Sequence, residues 1–163
     1  MIVSIFGCPN AGKTTLRKAL AERHPEMNSY CIDDFRRKYG DGTTGGEFLA
    51  QTKFLETMKE EGFYESSGAG LCARDALEYF VDGHYVIVVD TPEDVCISRI
   101  REGKYDGIPF PFDIPDDAFI HQTIDFLKSM EFRRWCVDIP VLSLDGMLPL
   151  EEQVIAVEGF VGL

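Results

Sequence analysis

The sequence predicts a three-layer, doubly wound α/β fold built on a parallel sheet of about five strands. Short apolar runs of strand length alternate with stretches of helical periodicity from one end of the chain to the other. A glycine turn joins the first of those runs directly to the first helical stretch. The 163 residues hold no internal repeat, low-complexity tract or linker, so they are read as one domain over 1–163, long enough to bury its own core.

Taken in order, residues 2–6 form a buried strand and, after the glycine turn, 13–23 a helix. Residues 28–32 make a second strand that delivers Asp33 and Asp34 at its carboxyl end. Phe48, Thr52, Leu55 and Met58 recur at helical spacing, which predicts a helix over 47–61 with those residues on its inner face. Residues 63–66 give a short third strand, 71–81 a helix, and 85–89 the clearest strand of the chain. Thr91 is expected to cap the next helix, with Pro92 at its first position and Glu93 and Asp94 facing its positive end. Glycines and prolines around Phe110 and Phe112 break the pattern, and the loop they predict is read as a lid over 99–117. Asp116 then caps a helix whose Phe119, Thr123, Phe126 and Met130 share a face. A last strand over 137–144, marked as an edge or an early break by Pro140, and a helix over 149–157 complete the pattern.

Hydrophobic residues make up 45% of the chain and charged residues 27%, globular values that exclude bulk disorder. No apolar run reaches the roughly 18–20 residues of a membrane span. The first residues lack the basic region and cleavage site of a signal peptide. Five cysteines without a C-x-x-C pair and three scattered histidines predict neither disulfides nor a zinc site, which suits a reducing cytoplasm. Sixteen Lys and Arg against 28 Asp and Glu give a net charge of −12. The acid is concentrated late: residues 1–50 carry a net +1 and residues 51–163 a net −13. An extended grip on nucleic acid needs a basic face, so any nucleotide or nucleic-acid partner is expected to be held through a small footprint. No protein partner is predicted.

Gly7-Cys8-Pro9-Asn10-Ala11-Gly12-Lys13-Thr14 is G-x-x-x-x-G-K-T, and it stands between a strand and a helix as a phosphate-binding loop must. Two glycines let successive N–H groups turn inward on a phosphate, and the helix that follows adds its positive end. Gly7, Cys8, Pro9, Asn10, Ala11, Gly12, Lys13, Thr14 and Thr15 are therefore the expected nucleotide-binding residues. Lys13 is to reach the β- and γ-phosphates, and Thr14 to ligate Mg²⁺. The base-reading N-K-x-D of GTPases is absent, and the strand at 85–89 runs into Asp90-Thr91-Pro92 rather than the Asp-Glu of motor ATPases. A kinase using ATP and Mg²⁺ fits better. Asp33-Asp34-Phe35-Arg36 adds a carboxylate at the edge where parallel sheets bind ligands, able to take a proton from an attacking hydroxyl. Arg36 is placed to hold an acidic group of the acceptor. The competing reading has one of the two aspartates capping the next helix.

Together, Gly-Cys-Pro-x-x-Gly-Lys-Thr-Thr at 7–15 and Asp33-Asp34-Phe35-Arg36 resemble the kinase domain of phage-type polynucleotide 5′-hydroxyl kinases. In that family the loop reads G-C-P-G-S-G-K-S-T and the second motif R-D-D-Y-R. The resemblance implies a P-loop kinase that moves the γ-phosphate of ATP to a nucleic-acid or nucleotide hydroxyl, a 5′-hydroxyl or a hydroxymethylated base in DNA. By position it makes Asp33 the general base and Arg36 the contact to an acceptor phosphate. Arg99, following Asp90-x-Pro92, becomes the lid-flanking arginine, and a phage-encoded enzyme of this kind would work in the host cytoplasm. The motifs are specific over the first 36 residues and loose to about residue 130.

The chain also departs from that family. Glu65-Ser66-Ser67-Gly68 stands where the family has Asp-Thr-Asn, and Gly-Ile-Pro-Phe-Pro-Phe follows Arg99, Arg101 and Lys104 where the family's lid is basic. No phosphatase domain is expected within the 163 residues. These differences fall on the acceptor half, so a small-metabolite or nucleoside monophosphate kinase is the alternative. From another class, an NTP-binding regulatory module or slow NTPase is the second alternative. Glu65 is a candidate Mg²⁺ carboxylate or an exposed charge. Arg99 and Arg101, two apart on a helix, point different ways, with Arg99 favoured for the γ-phosphate. Phe110 and Phe112 are candidate stacking surfaces or anchors of their loop. Residues 40–46, with four glycines, read as a mobile loop beside Asp33, and Asp145-Gly146 lies where kinases of this shape contact adenine.

Overall fold

The computed structural model describes residues 1–101, 108–111 and 117–163. Its five strands are β1 (Ile2–Phe6), β2 (Asn28–Cys31), β3 (Gly62–Glu65), β4 (His84–Asp90) and β5 (Val141–Asp145). They pair in parallel throughout, in the order β2-β3-β1-β4-β5. The described helices are α1 (Lys13–Arg23), α2 (Ile32–Tyr39), α3 (Thr44–Thr57), α4 (Leu71–Tyr79), α5 (Glu93–Ile100), α6 (Asp117–Lys128), α7 (Met130–Trp135) and α8 (Leu150–Val161).

The sheet is covered on both faces, which is why its central strand is apolar apart from Ser4 and buried along its whole length. Val3 and Ile5 of β1 pack against Leu16 and Leu20 of α1 and Val154 and Val157 of α8. Phe6 turns the other way, onto Ala73 and Leu77 of α4 and Phe132 of α7. Ile2 shares that second face with Phe54, Met58 and Tyr64. Since α1 follows β1 on one face and α4 follows β3 on the other, a crevice opens beyond the carboxyl ends of these neighbouring strands. The site lies there.

Several expected boundaries shift, each for a local reason. β2 stops at Cys31, and Asp33 and Asp34 sit in the first turn of α2, where two carboxylates face the positive helix end. Gly45 and Gly46 belong to α3 rather than to a mobile loop, because the Thr43 side chain caps that helix by accepting from the Gly46 N–H at 3.1 Å. On the inner face of α3 Glu47, Ala50 and Phe54 are buried in place of Phe48, Thr52 and Leu55, Phe48 being left 64% exposed, while the predicted Met58 that follows is buried. α6 buries the predicted Thr123, with Ile120 and Leu127 beside it in place of Phe119 and Met130. Met130 is not on it: Ser129 caps a separate short helix, α7, by accepting from Phe132 N. β5 begins only after Pro140 and forms the sheet edge. Thr91 does not cap α5; Pro92 holds the N-cap position, and the threonine is used elsewhere. The predicted lid lies partly outside the described residues, and Lys104, Phe112 and Asp116 lie there with it. Among the described residues no helix is long and apolar enough to cross a membrane.

Candidate active site

The loop after β1 has the backbone its sequence demands. Gly12 takes φ 102°, a left-handed conformation that costs a glycine little, and the chain enters α1 at Lys13. Asn10 also sits left-handed, at φ 61°, and its Nδ2 is buried with no hydrogen-bond partner among the described residues. Lys13 Nζ donates to Cys8 O at 2.8 Å, and Arg99 Nη1 donates to Asn10 O at 2.9 Å. Both cations thus rest on carbonyls of the loop itself. Arg101, by contrast, points away, 73% exposed and 3.5 Å from Asp117.

The loop is fixed from beneath. Thr91 is buried, and its Oγ1 donates to Ala11 O at 2.8 Å. Gly146, whose N–H donates to Asp90 O at 2.8 Å, passes so close to Thr91 Oγ1 that a Cβ there would overlap it. Cys8 Sγ lies 3.2 Å from Cys96 Sγ of α5, both side chains buried. The contact with Cys96 holds the Cys8 thiol below its ordinary value, and Cys96 is raised correspondingly.

Thr14 Oγ1 donates to Glu65 Oε1 at 2.5 Å, so the loop hydroxyl meets a carboxylate at the end of the neighbouring strand. Glu65 is buried rather than an exposed charge, and its other oxygen accepts from Arg17 Nε at 2.8 Å. Arg17 reaches on to Ser29 Oγ. Magnesium takes oxygen ligands, keeps several waters and uses one or two protein groups beside the phosphates. A hydroxyl touching a carboxylate fits that demand, and the orphaned Asn10 amide and left-handed Gly12 fit a phosphate cradle. Among the described residues no group of three or more His, Cys, Asp or Glu is assembled as a metal cage.

Across the crevice stands α2. Asp33, Asp34, Arg36 and Arg37 line the same cavity as Lys13, Thr14, Glu65 and Arg99, about 920 Å³ in volume. Arg36 is held on two sides. Its Nε and Nη2 fork onto Glu47 of α3 at 2.9 and 2.7 Å, and its Nη1 donates to Asp33 Oδ1 at 2.8 Å. Gln51 Nε2 donates to Glu47 Oε1 at 2.7 Å, while Gln51 Oε1 accepts from Cys72 N. Burial by itself would raise the Glu47 carboxyl, but Arg36 and Gln51 outweigh it and bring the group below its usual value. The two carboxylates push the Arg36 guanidinium up against a cost of burial. Arg37 pairs with Asp34 at 2.9 Å near the surface. The Phe110 ring lies with its centroid 4.8 Å from Arg36 Cζ. Burial, with Glu65 and Asp33 nearby, pushes the Cys31 thiol up to about 12, so it stays protonated beside the site.

Sequence reasoning named Lys13, Thr14, Asp33, Arg36, Glu65 and Arg99, and all six line this cavity. Gly146 lines it too, with Met147 and Leu148. Sequence reasoning missed Arg17, Glu47 and Gln51. The signal for the last two was there: Glu47 and Gln51 are one helical turn apart beside the apolar Ala50 and Phe54, and polar groups on such a face need partners.

The sequence matches no protein-family model, and no curated protein matches it by sequence. The fold does have relatives among solved structures. A sugar kinase from Janibacter sp. HTCC2649 superposes with a TM-score of 0.68 at 16% identity, covering 99% of this chain and 94% of that one. Shikimate kinase from Bacteroides thetaiotaomicron gives 0.67 at 18% identity over 100% and 99% of the two chains. Deoxyadenosine kinase from M. mycoides gives 0.63 at 16% identity over 100% of each. The five-stranded parallel sheet with its flanking helices is the fold these small P-loop kinases share.

Proposed function

We propose that the chain is an ATP- and Mg²⁺-dependent kinase that phosphorylates a hydroxyl of a small acceptor. One observation carries the reading: a single cavity is lined at one end by the phosphate loop and at the other by Asp33. A module that only binds nucleotide has no need of a carboxylate across from the loop. The solved structures of like fold are kinases of a sugar, of shikimate and of deoxyadenosine, which supports a small acceptor over the polynucleotide that the motif resemblance implies.

Lys13 and Arg99 exchange their carbonyl partners for phosphate oxygens and offset the charge that develops there. Thr14 and Glu65 are the residues that would hold Mg²⁺, which would offset the negative charge of the phosphates. Asp33 uses the oxygen that Arg36 does not engage to take the acceptor's proton. As that proton leaves, the acceptor oxygen bonds to the γ-phosphorus, the bond to the β,γ-bridging oxygen breaks, and ADP departs with the electron pair.

Coupled ADP release with Mg·ATP across sugars, nucleosides, nucleoside monophosphates and 5′-hydroxyl oligonucleotides tests the reading. Acceptor-dependent release is expected. Release that no acceptor accelerates would leave a slow NTPase. Should an oligonucleotide prove the best acceptor, two or three phosphate contacts predict a slope of log K against log[salt] of about −1.4 to −2.1.

A further inference from the structure

We infer that the acceptor is an uncharged hydroxylated molecule rather than an acid or a phosphate ester. The inference rests on the kinase reading and concerns the acceptor half of the same cavity. Cations of the cavity divide by their partners. Lys13 and Lys18 of α1 and Arg99 of α5 have no carboxylate partner among the described residues. The others are already paired: Arg17 with Glu65 beside the loop and, across the crevice on α2, Arg36 with Glu47 and Asp33 and Arg37 with Asp34.

Across the crevice three carboxylates meet two guanidiniums, leaving one net negative charge. The Nε and Nη2 side of Arg36 is filled bidentately by Glu47, itself fixed by Gln51, and Nη1 is engaged by Asp33, so an incoming carboxylate or phosphate would have to compete with two carboxylates already in place. It would also meet Asp33 and Asp34 at close range, and juxtaposed like charges are strongly unfavourable. The sequence between the described parts does not reverse the balance: residues 102–116 contain one lysine and four acids. What the wall does offer suits a neutral polyol or nucleoside. Ser66 and Ser67 supply hydroxyls, and Ile32, Ile108 and Phe110 supply apolar surface.

The test uses matched acceptors that differ only in charge, a hexose with its aldonate and a nucleoside with its 5′-monophosphate, in the coupled ADP-release assay. The neutral member of one pair is expected to exceed its anionic partner in kcat/KM by at least about tenfold. Which pair responds tells a sugar from a nucleoside. An anionic member that equals or beats its neutral partner overturns the inference and leaves the kinase reading standing. If no acceptor of either kind accelerates ADP release, or binds by calorimetry beside ADP and Mg²⁺, the kinase reading fails and this inference with it. Glu47→Gln, which removes a carboxylate from Arg36, should narrow the ratio about tenfold toward the anion. Because Glu47 is buried, Asp34→Asn serves beside it: that pair is exposed, the fold does not lean on it, and the ratio should narrow severalfold in the same direction. A ratio unmoved in both variants, each folded by circular dichroism, would also overturn the inference.

Discussion

The two ends of the cavity hold their cations in opposite ways. Around the phosphate loop, Lys13 and Arg99 rest on backbone carbonyls, partners that carry no net charge. Opposite, Arg36 is locked to two carboxylates, Glu47 and Asp33. A phosphate arriving at the loop would displace two hydrogen bonds to uncharged carbonyls and gain ion pairs with both cations. An anion arriving at α2 would have to displace a buried carboxylate, which is then stranded, and breaking such a pair typically costs about 3–5 kcal/mol. On the proposed reading the same residue type serves as a ligand at one end and as scaffold at the other, and its existing partner tells which.

Substitutions confined to one end sharpen that contrast. The largest effect is expected from Asp33→Asn, which should lower turnover by about 10²–10⁴ while ATP affinity stays within a few-fold. Near wild-type turnover in Asp33→Asn, with the loss appearing in Asp34→Asn, would move the base by one residue. Lys13→Ala should cost about 10²–10³ in turnover by removing charge at the transferring phosphoryl group. A Lys13→Ala enzyme of undiminished rate would mean the loop is not the donor site.

Two smaller effects lie away from the reacting groups. His84 is buried at the start of β4, where Nδ1 donates to Phe80 O at 2.6 Å and Nε2 accepts from Ser4 Oγ at 2.8 Å. Burial depresses its pKa to about 4 from an ordinary 6.5. Below the ordinary value the unfolded chain binds a proton that the folded chain refuses. Stability present above pH 6.5 is therefore lost as the pH falls toward about 4, by up to about 3 kcal/mol. His84→Gln should flatten the part of that slope between pH 6.5 and 5 in denaturant titrations, where ordinary carboxylates are still ionised. An unchanged slope would place the titrating group elsewhere. Thr91→Val is expected to cost about 1–3 kcal/mol by leaving Ala11 O buried and unpaired, and to weaken ATP binding more than acceptor binding. Equal loss at both ends would show that the two ends are not separately supported.

How much of this could be read in advance follows the same division. The donor end is written in nine consecutive residues, 7–15, and a loop whose conformation is local can be read locally. The acceptor end is assembled from α2, α3, the end of β3 and the segment at Phe110, and its decisive facts are pairings between distant positions. Asp33 and Arg36 were legible as chemical groups. That Arg36 would be claimed by Glu47 was not, since helical periodicity alone put Phe48 rather than Glu47 on the inner face of α3. Strand order also lies beyond pattern reading: nothing near Glu65 announces that β3 lies beside β1 and brings that carboxylate to Thr14. The alternation of strand and helix, by contrast, identified every strand to within a few residues, because each is bounded by a turn or a helix start.

The buried contact between Cys8 and Cys96 ties the loop to α5 without a covalent bond. A thiol reagent reaches Cys8 only in the moments when the loop lifts from that helix. Its labelling rate is therefore the opening equilibrium of the loop multiplied by the reactivity of an uncovered thiol. A nucleotide gripping the loop closes that equilibrium further. The molecule carries its own clock: peptide mapping of Cys8 labelling, with and without Mg·ATP, times how often the empty cradle opens and how long a filled one stays shut.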